Sequence, residues 1–153
     1  MTALQILSEL DYQCKRDLYK NVPDHAIARA KFSDKTANGL TQCILTWLRL
    51  HGHYCTRITT TGRKLKDTSI VDVIGRTRIM PGQWIPGTTR TGTADIHASI
   101  NGRHASIEVK IGRDRMSAAQ ERTRQDVRSS GGLYFMAKDF QSFYEWFTET
   151  ITQ

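Results

Sequence analysis

A chain of 153 residues with 39% hydrophobic and 24% charged side chains has the size and composition of one globular domain with a real core. No run of about 18 apolar residues occurs, which argues against a transmembrane helix, and three cysteines (Cys14, Cys43, Cys55) are too few for a disulfide framework, which favours a reducing, cytoplasmic setting. The formal net charge of +7 and pI of about 9.6 invite a polyanionic partner while saying nothing about fold.

The opening MTALQILSELDYQC lacks a basic flank and does not read as a signal peptide. Leu4, Leu7, Cys14 and Leu18 recur at helical intervals and predict an amphipathic helix that ends before Pro23. Residues 21–37 read as a connector with one helical turn. Leu40, Cys43, Ile44, Trp47, Leu48 and His51 then define one apolar stripe of a stronger helix, with Asn38 as N-cap and Gly52 just past its end. HYCTRITT (53–60) is β-branched and aromatic and predicts a strand.

Residues 61–92 are interrupted by Pro81-Gly82 and Pro86-Gly87 and read as a partly ordered excursion with short strands near 70–74 and 77–80. Basic charge concentrates between Arg57 and Arg90: Arg57, Arg63, Lys64, Lys66, Arg76, Arg78 and Arg90 stand against only Asp67 and Asp72. This set suits contact with nucleic-acid phosphates.

From Thr93 the pattern sharpens. TADIHASI, Asn101-Gly102 and RHASIEVKI form a hairpin with a preferred type I′ turn pair. Ser117 to Gln120 is a capping box opening a helix to about Arg128, Gly131-Gly132 ends it, and LYFMA is a short apolar strand. Asp139 caps a last helix with Phe140, Phe143, Tyr144, Phe147 and Ile151 on one face. The expected fold class is α/β, a mixed central β-sheet flanked by α-helices.

A two-residue turn at Asn101-Gly102 fixes the register, so Asp95 should lie across from Glu108. Asp95, His97, Ser99, His104, Ser106, Glu108 and Lys110 then share one face; Ile96, Ala98, Ile100, Ala105, Ile107, Val109 and Ile111 share the other. The apolar face must pack on helices, leaving the carboxylates in a cleft or in solvent. Two opposed carboxylates repel unless something compensates, and a hard divalent cation does so with oxygen ligands. Lys110, on the same face, can stabilise developing negative charge or position a water, and the set would suit phosphodiester hydrolysis. The bland alternative is a solvated face on which a lysine neutralises two acids.

Twelve residues separate Asp95 from Glu-Val-Lys, an arrangement that resembles the D-x(n)-E-x-K core of the PD-(D/E)XK nuclease superfamily. The ordered set GTADI, INGRHASIEVK, MSAAQ and Gly-Gly before an apolar strand resembles the VRR-NUC family over about residues 36–140, with 1–35 as an N-terminal helical extension and 36–153 as the nuclease-like domain. The resemblance implies a restriction-endonuclease-like core and dependence on Mg²⁺ or Mn²⁺. Asp95 and Glu108 match the metal-binding acids, with the Val109 backbone carbonyl beside them, Lys110 the catalytic lysine and Gln120 the motif glutamine. Gln120 is equally explained as the partner of the Ser117 cap. Relatives associated with phages and mobile elements include dimers acting on branched DNA, which makes structure-selective cleavage of four-way junctions the leading expectation and a homodimer a possibility. A restriction-type duplex cutter and a silent DNA-binding module are the rivals. Ala94 replaces the superfamily proline, which changes little. Asn38 stands where many relatives carry a helical Glu, which puts a second metal in doubt, and nothing in the spacing demands that Asp34 substitute.

Cys43, His51, His53 and Cys55 lack the spacing of a common zinc finger. Asp72 has no Glu-x-Lys partner, His97 and His104 read mainly as structural, and Trp84 could stack on a base or serve as local core. Arg113 and Arg115, just after the hairpin, are the nearer phosphate-clamp candidates; Arg122, Arg124 and Arg128 read as a salt-bridged helix surface.

Overall fold

The computed structural model describes residues 1–59, 62–87 and 90–152. Its chain divides into two compact units, Met1–Ile58 with Gly92–Gln153, and Thr59–Thr91. Among the described residues the first carries a four-stranded sheet and four α-helices.

Helix α1 (Ala3–Leu18) starts at a Thr2–Gln5 capping box. It buries Ala3, Leu7 and Tyr12, while Cys14 and Leu18 of the expected stripe are exposed. The stripe fails beyond Leu7 because Tyr12, with Arg29 stacked 3.8 Å over its ring, takes the buried place. One 3-10 turn (Asp24–Ala26) follows in the connector. Helix α2 (Ala37–Leu50) is capped by Thr36, whose Oγ1 accepts from Gly39 N, and not by Asn38, which lies inside the first turn. Five of its six stripe residues are buried, His51 being exposed, and Gly52 takes the expected left-handed conformation with φ of 75°.

Strand β1 is shorter than the sequence suggested, Cys55–Arg57; Thr60 of the expected strand lies outside the described residues. The two-residue ladder of β2 (Arg63–Lys64) with β5 (Trp84–Ile85) and the hairpin of β3 (Thr68–Val71) with β4 (Thr77–Met80) make up the second unit. Partner numbers add to 148 in both ladders, so the excursion is one long hairpin interrupted midway. Asp72 closes its tip: Oδ1 accepts from Ile74 N and Arg76 N.

In the first unit, β6 (Ile96–Ile100) and β7 (Arg103–Val109) pair antiparallel, Ile96 opposite Ile107 and Ile100 opposite Arg103, the register expected from the turn. Asn101 and Gly102 both have positive φ, 49° and 76°, as a type I′ turn requires. Helix α3 (Ala118–Ser129) crosses over to β8 (Leu133–Ala137), which pairs parallel with β7, giving the order β1-β6-β7-β8. Helix α4 (Phe140–Thr152) is capped by Asp139, which accepts from Ser142 N, and by Asp34, which accepts from Phe140 N. The architecture is thus mixed α/β, a mixed central sheet flanked by helices.

The apolar hairpin face meets α1, α2 and α4. Ile96, Ile100, Ile107, Leu40, Ile44, Leu48, Phe140, Phe143 and Phe147 are fully buried in one core, and Ala3 and Leu7 of the N-terminal segment join it. At about 25 cal/mol per Å² of apolar area removed from water, each such side chain contributes roughly 1.5–3 kcal/mol. This packing pins the hairpin and leaves its other face to the polar side chains.

Candidate functional site

Of the two settings expected for the carboxylates, a cleft or solvent, Glu108 takes the covered one, while Ser99 and His104 towards the turn of the same face are exposed. Ser106 is 1% exposed, Glu108 2% and Lys110 9%. The reason is non-local: β8 lies beside β7, and α3 reaches back over the same face through Gln120.

Around Glu108 the four motif side chains converge. The Asp95 carboxylate, one step beyond the ladder, accepts from Val109 N at 2.9 Å, while Asp95 O accepts from Ile58 N and joins β1 to the site. Lys110 Nζ lies 3.2 Å from Glu108 Oε1 and 3.5 Å from Asp114 Oδ2. Gln120 performs both roles open to it. Its Oε1 accepts from Ser117 N in the capping box, and its Nε2 donates to Glu108 Oε1. A glutamate could close the same cap but could not donate, so the amide is what links the start of α3 to the carboxylate. Gly92 makes the approach close: with φ of 88°, a Cβ there would sit 2.6 Å from Ala119 C and O and 2.9 Å from Gln120 N.

Electrostatics follow from burial. Desolvation, then the Asp95 charge, push the Glu108 carboxyl up to about 7 against the pull of Lys110. Burial opposes charge on Lys110, but the Glu108 hydrogen bond and the charges of Glu108 and Asp114 outweigh it and hold the ammonium above its ordinary range. Perturbed groups gathered around one point mark a functional site better than any one of them alone.

A divalent cation fits this donor set. Glu108 Oε2 is buried and accepts no hydrogen bond, and a buried carboxylate oxygen without a donor is matched by a cation. Among the described residues no three His, Cys, Asp or Glu side chains cluster as metal ligands. Two carboxylates are nevertheless what Mg²⁺ commonly takes from protein, the remainder coming from water and phosphate. Val109 supplies its N–H to Asp95 and its side chain to the core, and its carbonyl stands in the backbone between Glu108 and Lys110.

Further along the same face, His97 and His104 meet edge to face with ring centres 5.0 Å apart, and His104 Nε2 is 2.9 Å from Ser106 Oγ. Burial, then His104, lower the His97 pKa. They line a groove of about 490 Å³ with Tyr54, Thr56 and Ser99.

The basic candidates divide. Arg113 and Arg115 are exposed in the loop after Lys110, flanking Asp114. Arg57 is exposed but pairs with Ile96, so it belongs to the opposite face from Asp95 and Glu108. Arg63, Lys64, Lys66, Arg76, Arg78 and Arg90 are exposed in the second unit, with Lys64 3.3 Å from Asp67 and Arg78 3.7 Å from Asp72. Trp84 is 61% exposed and covers Gly62. Cys43 and Cys55 direct their thiols at the carbonyls of Ser33 and Leu45, and burial pushes Cys43 up to about 11. Asn38 is exposed on α2 and Asp34 caps α4.

Sequence reasoning missed Tyr134. It pairs in register with Ser106, is 4% exposed, and therefore belongs to the carboxylate face. Reading LYFMA as simply apolar hid it; alternation within that strand, with Phe135 on the helical side, is the signal that could have found it.

Fold and site together define a mixed α/β protein with a buried carboxylate–lysine–amide centre. No family model matches the chain, and no curated protein matches it. No described helix is long and apolar enough to cross a membrane.

Proposed function

We propose that this chain is a divalent-metal-dependent endonuclease of the VRR-NUC type, with a restriction-endonuclease-like core, hydrolysing DNA phosphodiester bonds. The observation that carries the reading is the convergence of Asp95, Lys110 and Gln120 on the buried Glu108. Asp95 and Glu108 would hold Mg²⁺ or Mn²⁺, with the Val109 carbonyl as a further oxygen. When bound, the cation supplies Lewis-acid polarisation of the phosphate and a more acidic water. Lys110 stabilises charge developing on the phosphate, and Gln120 holds the Glu108 carboxylate in place. Arg113 and Arg115 are the nearest candidates for clamping flanking phosphates, and the basic second unit offers a further DNA surface. Branched DNA, such as a four-way junction, is the leading substrate and a homodimer the leading assembly, both by analogy with the family.

The test is incubation with four-way junction, flap, duplex and single-stranded DNA in Mg²⁺, Mn²⁺ or EDTA. Metal-dependent cleavage abolished by Lys110→Ala is expected. Cleavage that persists in EDTA or in Lys110→Ala overturns the mechanism. The exposed amide Asn38 favours one alternative, a DNA-binding module without turnover, which would bind junctions yet cleave none under any metal.

A further inference from the structure

Two buried side-chain oxygens on the polar face lack a hydrogen-bond partner: Glu108 Oε2 and Tyr134 Oη. One is an acceptor and the other a donor. The parallel register pairs Tyr134 with Ser106, two residues before Glu108 on the same face. Their side chains are 4% and 2% exposed, so bulk water does not meet their needs. The phenol is raised well above its ordinary pKa by burial and then by the charges of Glu108 and Asp95, which keeps it protonated and able to donate. Meanwhile Gln120 Nε2 and Lys110 Nζ both engage Oε1. A carboxylate held by one oxygen alone is free to swing about that anchor.

We infer that Tyr134 is a positioning residue for Glu108: its hydroxyl donates to a water that in turn donates to Oε2, so that Oε2 presents its remaining lone pair to a divalent cation. This rests on the proposed role of Asp95 and Glu108 as the cation site. A ligating carboxylate oriented by an outer hydrogen bond loses metal affinity when that bond is deleted, typically about 10- to 100-fold. Tyr134→Phe removes only the hydroxyl and keeps the ring that packs.

The experiment compares wild type, Tyr134→Phe and Glu108→Gln without DNA, measuring the Mn²⁺ dissociation constant by calorimetry and the melting temperature without metal. The cleavage rate is then followed against Mn²⁺ concentration. Expected for Tyr134→Phe is Mn²⁺ binding weaker by about 10-fold or more, an unchanged metal-free melting temperature, and recovery of cleavage as Mn²⁺ is raised with KM for DNA unaltered. Wild-type Mn²⁺ affinity in Tyr134→Phe overturns the inference while leaving the cation site intact. A fall in affinity matched by a fall in metal-free melting temperature also overturns it, because packing then explains both. Equal Mn²⁺ affinity in wild type and Glu108→Gln removes the cation site and the inference together.

Discussion

Two hairpins in this chain obey the same register arithmetic and reach opposite physical states. In the β6–β7 hairpin one face is covered by the aliphatic and aromatic core, and the other, around Ser106, Glu108 and Lys110, by residues of β8 and α3. In the excursion every residue of β2 to β5 is exposed, including Ile70, Val71, Ile79 and Trp84. The acids behave accordingly. Glu108 is driven up to about 7 by desolvation, whereas the exposed Asp67 is lowered by the Gly82 N–H and then by Lys64. The lesson is that a carboxylate's chemistry comes from what covers it more than from the strand that bears it.

The comparison breaks most visibly at Lys110, the lysine of the proposed site. Lys110→Ala should reduce the DNA cleavage rate by about 10²–10⁴-fold in Mn²⁺, whereas Lys66→Ala in the excursion should leave turnover at saturating DNA within about two-fold. Initial rates on labelled junction or duplex DNA measure both.

Next come the apolar residues. Ile107→Ala should destabilise by about 2–5 kcal/mol in urea unfolding, and Ile79→Ala by less than about 0.5 kcal/mol. Equal losses would mean that the second hairpin is covered in solution.

Acid–base behaviour should differ as well. The folded Glu108 carboxyl lies near 7, above its ordinary 4.5, so between these values the native state binds more protons than the unfolded one. Metal-free stability should therefore be greatest below about pH 4.5 on this account and fall as pH rises through 7, by roughly 3 kcal/mol. Mg²⁺, which competes with that proton, should flatten the decline; melting curves from pH 5 to 8 in EDTA and in Mg²⁺ measure it.

Gln120→Glu is a smaller perturbation. The cap survives, but a third carboxylate faces Glu108, and the pH–rate profile should move to higher pH by on the order of one unit with little change in melting temperature. Smallest of all, Arg76→Ala should leave stability within about 0.5 kcal/mol and lower the salt slope of DNA binding by about one if it meets a phosphate.

The local devices of this fold were readable before the structure: the Asn101-Gly102 register, the Ser117–Gln120 cap and the α2 stripe each depend on neighbours in sequence. What escaped depends on partners far along the chain. Covering of the polar face requires β8 to lie parallel to β7 across α3; alternation within LYFMA tells that Tyr134 and Phe135 take opposite sides, but not which strand lies beside them. Thr36 caps α2 although asparagine is on average the better N-cap, because the helix begins two residues earlier than an Asn38 cap implies. Tyr12 displaces Cys14 and Leu18 from the α1 core face through its contact with Arg29, 17 residues on. Three of the site's four side chains came from local pattern, whereas Gln120 was expected both as a cap and, from the motif resemblance, as a site residue, and its bond to Glu108 depends on how α3 packs.

The approach of Gly92 to the Ala119 backbone carries one more consequence. The strand entry that delivers Asp95 and the helix start that delivers Gln120 touch where even a methyl group does not fit. Neither segment can drift on its own as the sequence diverges, and a graft of this centre onto another scaffold would have to carry residues 92–120 as a single piece.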